Sequence, residues 1–494
     1  MAASDEEPPT GGCFSRSITG GQMLGYNYII MLSLHTHLSQ VYYNAWLLRK
    51  RLDGVSLSER LSWFQANERK TPAQIAELRW RLMGDLLEHA AAHSPYYREL
   101  FQRMGAHPRE LLSPQTFAQI PLLDRATLNA ERDRLAAENR HRRSLQLNST
   151  GGSTGVPTRY YHDLVYAHQS AALQWRNQLW TGWRFGEGVV KVWGSAYDLR
   201  LEDQLRQRLM NFLRNTTVLP AYQITPDHLR AWPSVLRRRR PALLLGYTNA
   251  LIALAQTGAP MHDISLKGVV TTAETLFPSQ RRLLEETFGC RVFNRYGCRE
   301  LSTIAHECAH GSLHINEDWV YAEVVDERGS PVTPGAVGQL ALTGFFTHAM
   351  PFIRYAIQDA ASFSERDDPC PCGLPFRRFE RVEGKIQDLI LLPGGGYVSG
   401  EFFAGVLRRH PVRQFQVRQP EPDLLEVYLV PEQGYTVEDE AEMRQVILRQ
   451  CPGVHVRFFE AEDFPPTPSG NRRLTISLVS GVDRLYGAPH PEAG

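Results

Sequence analysis

Apolar residues recur at three- and four-residue spacing through IAELRWRLMGDLLEHAAAHSPYYRELFQRMG (75–105), which predicts helix with a break at Ser94-Pro95. The same helical texture runs from Leu34 to about Ala137. Beyond it, β-like and helical runs alternate. SLQL reads as a short strand, HDLVYAHQSAALQWRNQLW as the helix that follows, and VVKVWG (189–194) as a buried strand. PALLLGYT and LKGVVTT are further strands, separated by helical ALIALAQTG, and amphipathic SQRRLLEETFG precedes the strand CRVFNRYG. This alternation predicts parallel strands with crossover helices.

After about Glu317 the period falls to two in WVYAEVVDERGSPVTPGAVGQLALTGF, with a turn at Glu327-Arg328-Gly329, so antiparallel β is expected. QFQVRQ, LLEVYLV and VHVRFF alternate with helical EDEAEMRQVILRQ in a compact α+β unit. The fold class is therefore α/β. A disordered start (1–22) precedes a large domain (23–388) with mixed and parallel sheets, crossover helices and an antiparallel region. A small mobile α+β domain (389–494) follows a boundary after Asp388.

With 494 residues, the chain is too long for one ordinary core. Its 54 basic and 53 acidic residues leave a net charge of +1, which gives no field to gather nucleic acid or an anionic membrane. The run Arg237–Arg240 reads as a solvated helix end. Seven scattered cysteines argue against a disulfide scaffold. The apolar patch Met23–Leu34 lacks a basic leader and is too short to span a bilayer, so the cytoplasm is the expected location. Only five lysines occur, at 50, 70, 191, 267 and 385, so nearly all the positive charge is arginine.

The stretch LQLNSTGGSTGVPTRYYHD (145–163) is unusual in a different way. Ser149, Thr150, Gly151, Gly152, Ser153, Thr154 and Gly155 offer little but backbone N–H groups and hydroxyls. A strand, such a loop and then a helix form a recipe for phosphate, because glycines let N–H groups approach an oxyanion. It is not a Walker A loop, since no lysine follows the glycine.

Three further segments follow in order: GVVTTAETL with FNRYGCREL (268–276, 293–301), LTGFFTHAMPFIRYAIQD (342–359) and FERVEGKIQDLILLPGG (379–395). With the glycine loop they resemble the core motifs of the adenylate-forming superfamily. Within it, HSPYYRELF and WGSAYDLR are similar to the branch of phenylacetate–CoA ligases and the capsular-polysaccharide proteins related to them. The resemblance implies that a carboxylate attacks the α-phosphate of ATP, pyrophosphate leaves, and the acyl-adenylate passes its acyl group to CoA, an amine or a hydroxyl. It also implies roles. Residues 149–155 would hold phosphate, Thr272, Ala273 and Glu274 would border adenine, and Tyr296 would stack on it with Gly297 keeping the backbone close. Glu300 would bind Mg²⁺, Asp359 would accept the ribose hydroxyls, Lys385 would contact ribose, and the small domain would turn at Asp388.

The chain departs from the pattern in three places. Asn471, in PPTPSGNRRLTISLV, stands where the family's Ser-Gly-Lys motif has its catalytic lysine, and asparagine is uncharged and short. No lysine follows Gly155. Arg299 occupies a place where a small hydroxyl residue is usual. Three readings stay open: a ligase with a rewired cation set, an enzyme of the second half-reaction only, or a nucleotide-binding protein without adenylation.

HECAHGSLHINED and DPCPCGLPF supply Cys308, His314, Cys370 and Cys372, a set suited to structural zinc, with His306 and His310 as rival ligands. Similar cysteines with a nearby histidine occur in the phenylacetate–CoA ligase branch. The acyl pocket is expected among Trp193, Tyr197, Gly246, Tyr247 and Tyr296, with no charged residue identifiable as a selector for a second functional group. The partners expected are a small carboxylic acid and its acceptor, without nucleic acid; a homodimer stays open.

Overall fold

A computed structural model describes residues 34–45, 51–52, 55–139, 145–150, 158–194, 204–221, 224–365, 368–385, 389–394, 397–398, 400–407, 409–464 and 474–479. The helical half begins where its capping chemistry dictates. Ser56 and Glu59 form a capping box at Leu57–Asn67, and Thr71 and Gln74 form another at Pro72–His93. Ser94 ends that helix and caps the next, Pro95–Met104, because proline cannot continue the hydrogen-bond ladder.

Two short pairs come first in the chain: β1 (Arg51–Leu52) with β2 (Val55–Ser56), and the antiparallel β3 (Leu145–Thr150) with β4 (Thr158–Asp163). The main sheet holds eleven strands: β5 (Val189–Trp193), β6 (Thr216–Pro220), β7 (Leu243–Tyr247), β8 (Gly268–Thr272), β9 (Val292–Cys298), β10 (Ser302–Glu307), β11 (Leu313–Ile315), β12 (Val320–Val325), β13 (Gly338–Gly344), β14 (Tyr355–Phe363) and β15 (Arg378–Lys385). Their order is β12-β13-β14-β15-β11-β10-β9-β8-β7-β5-β6. From β6 to β9 all pairs are parallel, and from β9 onward all are antiparallel. The change of direction thus comes at the β9–β10 hairpin, earlier than the texture change at Glu317, and both halves share one sheet.

Helices Pro226–Arg239, Thr248–Ala255 and Pro278–Phe288 cover one face of the parallel strands, packing Trp232, Leu236, Leu251 and Phe288 on Val190, Val192, Leu244, Val269 and Val292. Arg237–Arg240 do end the first of these helices, and Arg240 closes it at φ 42°. Helix Leu164–Leu179 is locked by buried Arg176, which donates to Asp318 at 3.0 and 3.1 Å and to Asn316 at 2.6 Å. Among the described residues no helix is long and apolar enough to cross a membrane.

After β16 (Ile390–Leu391) and β17 (Tyr397–Val398) comes a four-stranded sheet in the order β20-β19-β18-β21. Its strands are β18 (Val412–Glu421), β19 (Leu424–Pro431), β20 (His455–Glu460) and β21 (Thr475–Ser477). Helix Val437–Gln450 adds Met443 and Ile447 to a separate core with Phe415, Val417, Leu425 and Val427.

Candidate active site

The glycine loop does not lead straight into a helix. Thr150 pairs with Thr158 and Ser149 with Arg159, so residues 151–157 connect the arms of a β-hairpin, and the helix starts only at Leu164 with Asp163 as its N-cap. The Thr-Arg-Tyr-Tyr run explains the correction. Its β-branched and aromatic residues alternate buried and less buried positions on β4. Gly151, Gly152, Ser153, Thr154 and Gly155 lie outside the described residues, as do Tyr197, Asp388 and Asn471.

The hairpin is tied to the next motif. His162 donates its Nε2–H to the Glu300 carbonyl at 2.8 Å, and the Tyr166 hydroxyl donates to the same oxygen at 3.1 Å. The Glu300 side chain is buried and accepts the Tyr355 hydroxyl at 3.2 Å. Tyr355 follows Arg354, a buried guanidinium that pairs with Glu323 at 3.1 Å and donates to the carbonyls of Ala118, Ile120 and Gly329. Arg299 reaches back from the end of the β9 segment to the Ser149 carbonyl at 3.3 Å, placing a cation where the strand enters the glycine loop.

Burial pulls the His162 imidazole down to about 4, below its ordinary value near 6.5. The unfolded chain therefore takes up a proton that the folded chain refuses. Stability from this group is complete above pH 6.5 and is lost as pH falls toward 4, by up to about 3 kcal/mol. His162→Gln, which keeps an N–H donor without titrating, is expected to flatten the fall in melting temperature between pH 6.5 and 4.5 in thermal scans.

Tyr296, on β9, donates its hydroxyl to Asp359 Oδ2 at 2.5 Å, although β10, β11 and β15 separate β9 from β14 in the sheet order. The sheet therefore folds over on itself at this point. Lys385 pairs across from Asp359 in the β14–β15 ladder, and its Nζ lies 2.5 Å from Oδ1 and 2.8 Å from the Ile357 carbonyl. Burial and the adjoining carboxylate hold the Tyr296 phenol well above its ordinary value, so it stays a donor. Two non-glycine residues take left-handed backbone beside these motifs, Ala273 (φ 72°) and Gln358 (φ 63°), a conformation that costs about 1–2 kcal/mol in an L-residue.

Thr272 ends β8, and Glu274 is used by its neighbours. Its carboxylate accepts the Asn249 N–H and Nδ2 at 2.7 Å each, and its carbonyl accepts the Thr248 hydroxyl. Gly297 is required by close approach, because a Cβ there would meet the Ser302 carbonyl oxygen at 2.2 Å.

Of the residues expected in the acyl pocket, Tyr296 and Gly246 do not share the face of Trp193 and Tyr247: Tyr296 follows Arg295 on β9 and turns to Asp359 instead. Trp193 and Tyr247 do meet, with ring centroids 4.8 Å apart, but Gly246 faces the other side of the sheet, where a Cβ would strike Val192 and Leu251. Alternation along β7 makes this unavoidable once Tyr247 faces Trp193. Sequence reasoning also missed two residues on the Trp193 face, Lys191 and Arg295; alternation along β5 could have found Lys191, but only strand register could have found Arg295.

A second constellation gathers as the spacing predicted. The ligand atoms of Cys308, His314, Cys370 and Cys372 all lie within 4.8 Å of one another. Cys308 Sγ is 3.8 Å from Cys370 Sγ, the edge of about 3.8 Å that bonds of about 2.3 Å from zinc to sulfur impose on a tetrahedron. His314 Nδ1 lies 2.9 Å from the Phe376 carbonyl, which selects the tautomer that leaves Nε2 free, 3.2 Å from Cys372 Sγ. The rival His306 instead uses Nδ1 on the Glu307 carbonyl.

No family model matches the chain. A phenylacetate–coenzyme A ligase of Pseudomonas putida is 25% identical over 335 residues, covering 65% of this chain and 72% of that protein. Protein CapK of Staphylococcus aureus is 23% identical over 422 residues, 82% of this chain and 89% of CapK. Among solved structures, a 2-hydroxyisobutyryl-CoA ligase in the postadenylation state superposes with a TM-score of 0.69 at 17% identity, over 87% of this chain and 94% of that one, which establishes the shared fold.

Proposed function

We propose, from its likeness to phenylacetate–CoA ligases and CapK, that the chain is a member of the adenylate-forming superfamily in their branch and activates a carboxylic acid with ATP. A carboxylate oxygen bonds to the α-phosphorus, the bond to pyrophosphate breaks, and acyl-AMP forms. A thiol such as that of CoA, an amine or a hydroxyl then attacks the acyl carbon, and AMP leaves with the carboxylate oxygen. The observation that carries this reading is the Tyr296–Asp359–Lys385 contact, which joins three separate motifs at one carboxylate beside Thr272–Glu274.

In this reading Asp359 takes the ribose hydroxyls, Tyr296 borders the adenine, and residues 149–155 receive the phosphates. Glu300 offers a hard oxygen for Mg²⁺, which when bound neutralises phosphate charge. Arg299 covers, from the Ser149 side, for the cation that Asn471 lacks. Residues 389–494 act as a lid that turns at Asp388 between half-reactions. Asn471 favours a second reading, in which only acyl transfer survives. The assay is acid-dependent release of AMP and pyrophosphate with hydroxylamine as acceptor. Equimolar hydroxamate, AMP and pyrophosphate support adenylation; no adenylation, with transfer from supplied acyl-AMP to CoA or an amine faster than without the protein, supports the second reading.

The four-ligand cluster we read as a closed structural zinc site that ties the β10–β11 hairpin to the segment before β15. One zinc per chain is expected by elemental analysis. Cys308→Ser is expected to lose the metal and several kcal/mol of stability, lowering the melting temperature by roughly 5–10 °C.

A further inference from the structure

The order β6-β5-β7-β8-β9 reverses at β5: the chain leaves β5 for β6 on one side, then returns to β7 on the other. Such a reversal opens a crevice at the C-terminal ends of the parallel strands, the usual ligand position in open α/β sheets. Register tells which side chains line it. Val192 pairs with Gly246, Tyr247 with Thr272, and Thr272 with Arg295, so Trp193, Tyr247, Thr272 and Arg295 form one row on one face. The Arg295 guanidinium crosses this row, 3.4 Å from the Thr272 hydroxyl and 5.4 Å from the Trp193 ring centre. Lys191 precedes Trp193 by two residues, on the same face and about 6–7 Å deeper along the strand.

Lys191, Arg295, Trp193 and Tyr247 all remain partly exposed, as the walls of a crevice do. Among the described residues, no carboxylate forms an ion pair with either cation. Burial, helped by Arg295 and Arg214, pulls the Lys191 ammonium down to about 8; burial pulls Arg295 down to about 10. Two like charges sharing a desolvated place are costly unless an anion joins them. A lysine spent here, in a chain with only five, is not ordinary surface charge.

We infer that this crevice binds a carboxylic acid carrying a second anionic group, with Arg295 and Lys191 holding that group and Trp193 and Tyr247 flanking the carbon skeleton. The reacting carboxylate then points out of the crevice, toward Ala273 and Gly297, where β8 and β9 carry the nucleotide motifs. The inference deepens the ligase reading, in that it names the class of acid. Arg295 and Lys191 are specificity residues in this account.

The test is calorimetric titration of the full chain, with AMP present, by benzoate and by isophthalate, the same ring with a second carboxylate. A charge-assisted contact of about 1.5–3 kcal/mol corresponds to on the order of 10- to 100-fold in affinity. Isophthalate is therefore expected to bind at least about tenfold more tightly than benzoate. Lys191→Met and Arg295→Met should each weaken isophthalate far more than benzoate and so erase most of that preference; Arg295→Lys should keep part of it. Equal binding of the two acids, a preference that survives both substitutions, or no binding of isophthalate would overturn the inference. Hydroxamate formation from monocarboxylic acids without any such preference would overturn it while leaving the ligase reading intact.

Discussion

Replacing Asp359 by Ala is expected to lower kcat/KM for adenylation by about 10² to 10⁴. That range follows if Asp359, as proposed, accepts two charge-assisted hydrogen bonds from ribose hydroxyls at about 1.5–3 kcal/mol each. The same substitution strips Lys385 of the carboxylate 2.5 Å from its Nζ and leaves the Tyr296 hydroxyl without its acceptor. Asp359→Asn should fall between, since an amide keeps the shape and one acceptor but not the charge. Tyr296→Phe removes only the donor and should cost far less, roughly tenfold. Steady-state hydroxamate assays with varied ATP check the ranking. Equal losses in all three variants would mean that Asp359 acts through the fold and not through nucleotide.

Asn471→Lys is expected to raise the adenylation rate by about 10² to 10³, the usual value of one transition-state donor. Acyl transfer from supplied acyl-AMP should change little, because the lysine of that motif serves the first half-reaction. Arg299 makes the prediction sharper. Its guanidinium at the Ser149 carbonyl would meet phosphate charge if residues 149–155 hold phosphate as proposed. Arg299→Met should therefore nearly silence the wild type, yet be tolerated when combined with Asn471→Lys. Single-turnover measurements of both half-reactions resolve these effects. No gain from Asn471→Lys, together with full activity in Arg299→Met, would remove both residues from the account.

Local signals are legible where chemistry and spacing coincide. The cysteines and His314 converge because they flank two hairpin segments whose short spacings leave little freedom. The helix break expected at Ser94-Pro95 is where Pro72–His93 ends and Ser94 caps the next helix. The loop after Thr150 misleads because a strong helical pattern from Leu164 masks the six-residue strand before it. Gly246 is misplaced for a related reason: adjacent strand residues face opposite ways, and a motif names neighbours without naming faces.

The pairing of Arg295 with Lys191 is invisible to the sequence. The two lie 104 positions apart in the chain numbering and meet only through the registers of β5, β7, β8 and β9. In Asn294-Arg295-Tyr296-Gly297 the tyrosine carries the motif, and the arginine beside it reads as filler. Long-range register makes it part of the crevice wall.

The central claim is that a carboxylate oxygen attacks the α-phosphorus of ATP, and oxygen labelling tests it most directly. The protein would be incubated with Mg-ATP, hydroxylamine and an acid carrying ¹⁸O in both carboxylate oxygens, and the phosphorus products resolved by mass spectrometry. One ¹⁸O in each AMP formed, with unlabelled pyrophosphate, is the result predicted. Unlabelled AMP, or label appearing in orthophosphate alongside ADP, would contradict it, because the oxygen would then have bonded elsewhere or not at all.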